Sequence, residues 1–315
     1  AQGRGKSVST IVITAEAIAP SAVALLQGYE LVYAGKTPTP EDIVALCKQH
    51  NPVAMVVRYG KVGADAMDAA PALRVISKHG SGTDNIDKVA AKERGIEVVA
   101  AVGANANAVA EHAFALLLAC AKSIPAVDAR MHAGHWDKAA HSSLELSGRT
   151  VGVVGLGAIG RRFARMAEGF GMNVVAFDPF AKDVPDCVTL VDLEELFSRS
   201  DVISLHCPLT DANEGLLNAT TLARCKPGVI IVNTARGGLI DEKALLDAVS
   251  KGHVRAAGLD SFAVEPMASG HPFQSQRGFV LSPHVGSVTS DAYVNMGESA
   301  ARNALAVLAK QAEAA

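Results

Sequence analysis

The stretch from Val151 to Asp178 constrains the fold more than any other part of the chain. It reads Val151-Gly-Val-Val-Gly155-Leu-Gly157-Ala-Ile-Gly160 and closes on Asp178, with 17 residues between the last glycine and the acid. A β-branched run (Val151, Val153, Val154) enters the glycines. A helical apolar pattern follows through Ile159, Phe163, Met166 and Phe170, and a second apolar run over 174–177 ends at the carboxylate. That order predicts strand, tight turn, helix and strand in one βαβ unit. Glycines at 155, 157 and 160 let the backbone turn and approach a pyrophosphate at the helix N-terminus, while Asp178 accepts hydrogen bonds from an adenosine ribose. With 28 glycines in the chain, the spacing alone says little; the flanking strands and the paired acid carry the reading.

At 315 residues the chain is long enough for about two domains, and the motif sits near its middle. Hydrophobic residues make up 49% and charged residues 19%, the balance of a soluble α/β protein. A formal charge of −3 gives no electrostatic reason to expect nucleic acid or a membrane surface as partner. The longest apolar helical stretch, 113–121, is too short to span a bilayer. The first ten residues are small and polar and do not read as a signal peptide. Cys47, Cys120, Cys187, Cys207 and Cys225 are odd in number and form no C-x-x-C pair, so reduced thiols in the cytoplasm are expected, with neither disulfides nor a metal site.

Ahead of the glycine motif, residues 10–14, 30–33, 53–59, 74–78 and 96–102 read as strands, alternating with helices over 20–27, 40–49, 64–70 and 85–94. A long apolar helix over 107–134, with a break at Pro125, leads into the motif. Beyond Asp178, strands are expected over 188–190, 202–206, 229–233, 256–259 and 279–281. Helices are expected over 192–198, 242–250 and 290–310. The expected fold class is therefore α/β, with two doubly wound parallel-sheet (Rossmann/flavodoxin-like) domains, the nucleotide-binding one inserted into the substrate one. The boundaries fall near Gly103 and Gly286, giving 1–103 with 287–315 as the substrate domain and 104–286 as the nucleotide domain. A ligand is expected in a cleft beyond the C-terminal ends of both sheets.

Three motifs in the second half place reactive side chains after strands. Asn233-Thr-Ala-Arg236-Gly-Gly follows one apolar run, Asp260-Ser-Phe-Ala-Val-Glu265-Pro a second, and Ser282-Pro-His284-Val-Gly286 a third. Strand ends on one edge of a parallel sheet converge, so these side chains can meet. Arginine offers a planar fork for a carboxylate, histidine exchanges a proton near neutral pH, and a glutamate orients the ring and favours its charged form. Each of the three alone reads as an ordinary loop residue; their convergence makes them catalytic candidates. His132, His135 and His141 flank Trp136 without a completing ligand set and read as a solvated loop or a subunit contact. In the first half, Lys78-His-Gly80-Ser81-Gly82-Thr-Asp-Asn is a glycine-rich strand-to-helix turn whose N–H groups can hold a carboxylate or phosphate, and Arg58 can add a cation.

With these motifs in this order, the chain resembles the D-2-hydroxyacid dehydrogenases, a family that includes phosphoglycerate dehydrogenases and glyoxylate/hydroxypyruvate reductases. The resemblance runs over nearly the whole length, through Lys78-His-Gly-Ser-Gly-Thr-Asp-Asn, Ala108-Val-Ala-Glu-His, the glycine motif with Asp178, His206-Cys-Pro-Leu-Thr, and the three motifs above. It implies Arg236, Glu265 and His284 as the catalytic residues. It implies NAD as cofactor, with Asp260 on the nicotinamide amide and Ile159, His206, Pro208, Ala235 and Gly286 lining the site beside Gly155, Gly157, Gly160 and Asp178. It implies that backbone groups of Ser81 and Gly82 hold the substrate carboxylate, with Arg58 and Lys78 as further substrate residues.

The implied reaction passes a hydride between nicotinamide and the C2 of a small 2-oxo or 2-hydroxy acid, and the family's habit implies a homodimer with the 132–141 region as its contact. Two departures bear on substrate: phosphoglycerate dehydrogenases usually carry serine where Tyr59 stands and arginine where Lys78 stands, which leaves a phosphate pocket open. The sequence ends at Ala315, so feedback by serine through an additional C-terminal domain is not expected. Two other readings share the fold: an NAD(H)-sensing corepressor or scaffold, and a phosphite-type dehydrogenase. Formate-type enzymes resemble a Gln–His pairing, and Glu265 argues against them.

Overall fold

The computed structural model describes residues 8–313; residues 1–7 and 314–315 of the expected substrate domain lie outside the described residues. The chain divides into two compact units, Ala1–Asn105 with Val288–Ala315, and Ala106–Ser287.

In the first unit, strands β1 (Thr10–Ile13), β2 (Glu30–Tyr33), β3 (Ala54–Val57), β4 (Val75–Lys78) and β5 (Glu97–Ala100) form one parallel sheet in the order β2-β1-β3-β4-β5. Helices α1 (Pro20–Leu25), α2 (Pro40–His50), α3 (Ala64–Asp68) and α4 (Lys88–Glu93) make the crossovers. Both faces of the central strands are covered, which is why their sequences are continuously apolar and not alternating. Ile11, Ile13, Ala54 and Val56 pack to one side, Val12, Met55 and Val57 to the other. The start of α2 is fixed chemically: Thr39 accepts from the Asp42 N–H (3.2 Å) while Asp42 accepts from the Thr39 N–H (2.9 Å), with Pro40 in the first turn.

The second unit holds a seven-stranded parallel sheet of β6 (Thr150–Val154), β7 (Asn173–Phe177), β8 (Val188–Leu190), β9 (Val202–Leu205), β10 (Val229–Asn233), β11 (Val254–Leu259) and β12 (Phe279–Leu281). Their order is β12-β11-β10-β9-β6-β7-β8, which reverses direction at the β6/β9 pair, the place where α/β sheets take nucleotides. Seven helices accompany them: α5 (Ala106–Lys122), α6 (Ile124–His132), α7 (Ala158–Gly169), α8 (Leu193–Arg199), α9 (Ala219–Arg224), α10 (Glu242–Ser250) and α11 (Pro272–Ser275). Phe163 of α7, fully buried, packs with Phe114 of α5 (ring centroids 5.6 Å apart) on one sheet face. Phe197, Leu245 and Phe273 fill the other.

The last helix, α12 (Ser290–Glu313), belongs to the first unit. Its Ala300 carbonyl accepts from Ser77 of β4 (2.7 Å), and its Asn303 amide donates to Ala100 of β5 (3.0 Å).

One expected element needs correction. The helix over 107–134 is two helices, α5 and α6, bent by 63°, and the break falls at Ser123 (φ 55°), ahead of the proline. Pro125 has no N–H to donate to the Ala121 carbonyl, which instead accepts from Leu144 N–H (2.8 Å). Proline is tolerated once it becomes an opening residue of α6, so the chain restarts there. Among the described residues no single helix is long and apolar enough to cross a membrane.

Candidate active site

Because all seven strands of the second unit run parallel, the residues that follow them leave the sheet at one edge. Gly155 follows β6, Asp178 follows β7, His206 follows β9, Asp260 follows β11, and Arg236 and His284 lie a few residues past β10 and β12.

The glycine turn is built by close approach. Gly155 has φ 96°, and a Cβ there would lie 2.8 Å from the Cys207 nitrogen; a Cβ on Gly160 would lie 2.0 Å from the Gly155 oxygen. Gly157 differs: a Cβ there would meet nothing within 4 Å. It is the N-cap of α7 and supplies no side chain to the first-turn N–H groups, so a pyrophosphate has both room and donors. Asp178 ties the turn to β7, Oδ2 accepting from Leu156 N–H and Oδ1 from Phe180 N–H, each at 2.8 Å. These features fit a dinucleotide. His206 packs its ring on Phe163 (5.0 Å) and its Nε2 against the Ser204 hydroxyl (2.8 Å). Desolvation pushes its pKa down to about 3, so the ring stays neutral and acts by shape and not by charge. Ile159 and Ala235 are half-buried, each packed on one face of the core, and Pro208 is exposed.

The reactive cluster follows β10, β11 and β12. His284 Nδ1 lies 2.7 Å from Glu265 Oε2. Glu265 Oε1 accepts from Phe262 N–H (2.9 Å), which leaves Oε2 for the ring. Both side chains are partly exposed. His284 has φ 53°, a left-handed backbone that an L residue keeps only where its surroundings fix it. Arg236 is half-buried; its carbonyl accepts from Asn233 Nδ2 (2.9 Å) and its Nη1 donates to Ala235 O (2.8 Å). Asp260 is 1% exposed, and its carboxylate accepts from Ser282 Oγ (2.6 Å), Val285 N–H (2.9 Å) and Gly286 N–H (2.8 Å). Burial alone would raise the Asp260 pKa; the donors from His112, Ser282, Val285 and Gly286 outweigh it and hold the carboxyl below its ordinary range.

The first unit carries the remaining candidates. Arg58 is sandwiched between the rings of Tyr59 and Tyr293, 4.8 Å from each centroid, so its cation is held in place by aromatic faces. Lys78 donates to Arg58 O (3.1 Å) and Asn85 Oδ1 (2.9 Å), bracing the glycine turn. Ser81 is exposed and donates to Asn105 Oδ1 (3.0 Å), and Gly82 is half-buried. The histidine between Lys78 and Gly80 was not singled out by sequence. His79 is 4% exposed, packs against Tyr293 in a tilted pair (ring centroids 5.7 Å apart), and neither ring nitrogen has a hydrogen-bond partner among the described residues.

His112, Ser282 and Glu242 make contacts here that no role read from the sequence covers. His112 Nε2 is 2.8 Å from Ser282 Oγ, and Glu242 Oε1 accepts from Ala263 N–H (2.8 Å) within the segment that carries Glu265. His112 closes the Ala108-Val-Ala-Glu-His motif on α5, which was the available signal for the first. Ser282 opens the motif that carries His284, which does not reveal its partners, and no local signal marks Glu242.

Residues 114–286 match the family model described as D-isomer specific 2-hydroxyacid dehydrogenase, NAD binding domain. The chain is 42% identical over 303 residues to D-3-phosphoglycerate dehydrogenase of Mycobacterium tuberculosis, covering 95% of this chain and 57% of that protein. It thus spans little more than half the length of that relative. It is 45% identical over 246 residues to hydroxypyruvate reductase of Thermotoga maritima, covering 77% of this chain and 80% of the relative. Among solved structures, the TT0316 protein from Thermus thermophilus superposes with a TM-score of 0.88 at 35% identity, covering 96% of this chain and 97% of that one. The chain therefore belongs to the D-isomer specific 2-hydroxyacid dehydrogenase family, and residues 114–286 are its NAD-binding domain.

Proposed function

We propose that this protein interconverts a small 2-oxo acid and the corresponding D-2-hydroxy acid, with NAD as the hydride carrier. The names of its relatives, D-3-phosphoglycerate dehydrogenase and hydroxypyruvate reductase, set the range of substrates to try. The observation that supports the reading most is the 2.7 Å contact between His284 Nδ1 and Glu265 Oε2. With Nδ1 given to the carboxylate, Nε2 is the ring atom left to exchange a proton with the substrate C2 oxygen. Bound in the site, the nicotinamide supplies the hydride to C2 in reduction and accepts it in oxidation. Arg236 grips the substrate carboxylate and stabilises negative charge as it develops on the carbonyl oxygen. Glu265 stabilises the protonated ring and fixes its plane.

On the cofactor side, Asp178 takes the ribose diol, and α7 takes the pyrophosphate over Gly157. Ile159, His206, Pro208, Ala235 and Gly286 shape the walls. Asp260 Oδ2 accepts one hydrogen bond within the chain and keeps a second acceptor lobe for the nicotinamide amide. In the first unit we assign substrate recognition to Arg58, Lys78 and the N–H groups of Ser81 and Gly82. We assign 1–103 with 287–315 to substrate and 104–286 to nucleotide, as the sequence suggests.

We further propose a cytoplasmic homodimer. All five cysteines are free thiols. Every residue of α6 escapes burial, and Ile124, Met131 and Trp136 are 55%, 51% and 81% exposed, an apolar strip suited to a second copy. Light scattering of parent and Trp136→Lys tests that surface. A net charge of −3 supports neither nucleic acid nor a membrane as partner.

The activity is tested by a panel of glyoxylate, hydroxypyruvate, 3-phosphohydroxypyruvate and sulfonated analogues at fixed NADH, reporting kcat/KM for each. Turnover of at least one is expected. NADH binding with no turnover on any would move the reading to the nucleotide-sensing scaffold.

A further inference from the structure

We propose that His112, acting through Ser282 and the buried Asp260 carboxylate, is a positioning residue that holds the His284 turn in its proton-transfer geometry. The proposal rests on the reading of His284 as the proton donor. Three elements distant in sequence meet here: α5 brings His112, the end of β11 brings Asp260, and the residue after β12 is Ser282.

The direction of the chain of hydrogen bonds follows from valence. Asp260 Oδ1 lies 2.6 Å from Ser282 Oγ, and an ionised carboxylate only accepts, so the single hydroxyl proton points to Asp260. The serine oxygen is then an acceptor, and His112 Nε2 at 2.8 Å must be its donor. His112 thus orients the hydroxyl, and the hydroxyl saturates the carboxylate. Nε2 also lies 3.4 Å from Asp260 Oδ1, so the ring supports the buried acid directly as well.

That carboxylate in turn gathers the turn. Val285 and Gly286, the two residues after His284, both donate their N–H groups to Asp260, and His284 N–H donates to Ser282 O (3.0 Å). The left-handed backbone of His284 (φ 53°) is therefore held from both sides by groups that meet at Ser282 and Asp260. The far side has no slack, since a Cβ on Gly286 would lie 2.9 Å from Asp260 Oδ2 and 3.4 Å from the His112 ring. Without His112 the Ser282 hydroxyl keeps its bond to Asp260 but loses the ring that donates to its oxygen and fixes its place, and the anchor loosens. The turn then relaxes, and His284 Nδ1 parts from Glu265.

The test pairs deletion with conservative replacement in the full chain. His112→Leu removes the donor and His112→Gln keeps an N–H; Ser282→Ala removes the hydroxyl and Ser282→Thr keeps it. Two readouts are taken. The first is kcat and NADH KM with the best 2-oxo acid of the panel. The second is the far-downfield proton resonance of the His284 Nδ1–H in ligand-free protein, identified by its loss in His284→Gln. We expect each deletion to lower kcat about tenfold with NADH KM within about twofold, and to abolish or broaden the resonance. Gln and Thr should restore both to within about threefold of the parent.

The proposal is overturned if folded deletion variants keep the resonance and kcat, if the conservative variants fail to restore what deletion removes, or if the parent shows no such resonance. Should His112→Leu not fold, the Ser282 pair decides. The resonance needs no turnover, so loss of the proposed reaction and loss of this inference are separable.

Discussion

A Cβ on Gly237 would lie 1.9 Å from the Phe262 carbonyl carbon, so the backbone behind Arg236 and the backbone leading to Glu265 are in direct contact. Glycine is the only residue that permits this approach without moving main chain. At the same peptide, Glu242 takes the Ala263 N–H (2.8 Å), and it lies 3.5 Å from His271 Nε2. The segment that presents Glu265 is thus held at its Phe262–Ala263 peptide by the β10–α10 connection and by the first residue of α10.

Gly237→Ala should therefore damage catalysis as well as folding. The clash is with backbone and cannot be relieved by a rotamer change, so we expect roughly 1–3 kcal/mol of destabilisation. Displacement of Arg236 or Glu265 by about 1 Å should lower kcat/KM on the order of 100-fold. Urea unfolding and steady-state kinetics check the two effects; a variant with parent stability and parent kinetics would mean the two segments move independently.

Gly157 offers the opposite case, since its Cβ direction is empty and its backbone is an ordinary one. Gly157→Ala should leave the unfolding midpoint unchanged while weakening NADH by at least about tenfold, because the methyl group occupies the approach of the pyrophosphate. At the neighbouring acid, NADH should outperform NADPH by at least about tenfold in kcat/KM, or roughly 1.4 kcal/mol, since Asp178 in its proposed place at the ribose would repel a 2′-phosphate. Fluorescence titration and cofactor kinetics measure these; equal efficiency with both cofactors would remove the role given to Asp178.

Arg236→Lys keeps the charge and loses the planar fork. KM for the 2-oxo acid should rise and kcat should fall together, because in the proposed mechanism one guanidinium both grips the carboxylate and stabilises the developing oxyanion. Unchanged kinetics on the best substrate would put Arg236 outside the site.

Acid should destabilise the fold in part through His79. Its buried ring has a pKa pushed down to about 4, chiefly by desolvation and then by the nearby Arg58 and Lys78 cations, against 6.5 for the free side chain. Between those values the unfolded chain binds the proton and the folded one does not, so stability is full above about pH 6.5 and falls as pH drops. The loss from this one group is roughly 2 kcal/mol at pH 5. His79→Leu should lose about that much less than the parent between pH 7 and pH 5 in urea titrations. Equal losses in the two proteins would show that His79 does not titrate on unfolding.

Much of this architecture is legible in the sequence, for identifiable reasons. Strands such as Val229–Asn233 are apolar on both faces and bounded by turn residues, and the parallel α/β class follows from their alternation with helices. The α5/α6 break was displaced from Pro125 because where a proline interrupts a helix depends on which partner takes the orphaned carbonyl, here Leu144. Helix α9 was missed because it is six residues long with a single buried side chain; its one signal was the Asn218/Thr221 capping box. His284 and Glu265 were readable because each follows an apolar run, and the structure brings them to 2.7 Å. Arg58 was read only as a cation. Its Tyr293 neighbour comes from the final helix, and sequence gives no view of that packing. The His112–Ser282–Asp260 chain is hidden for the same reason: three elements must assemble before any of its members has a partner.

The central claim is that His284 exchanges the proton and Glu265 sustains its charged form. His284→Ala should cost on the order of 10²–10⁴ in kcat at every pH. The decisive measurement is the pH profile of kcat/KM in both directions for parent and Glu265→Gln, with one substrate pair. Removing the negative charge 2.7 Å from Nδ1 makes the protonated ring less favourable. Reduction, which needs the protonated ring, should then fade at lower pH than in the parent. Oxidation, which needs the neutral ring, should begin its rise at lower pH. A parallel downward displacement of both limbs is the predicted result; limbs that stay where they are would contradict the account, a uniform loss leaving Glu265 a role in geometry alone and unchanged activity leaving it none.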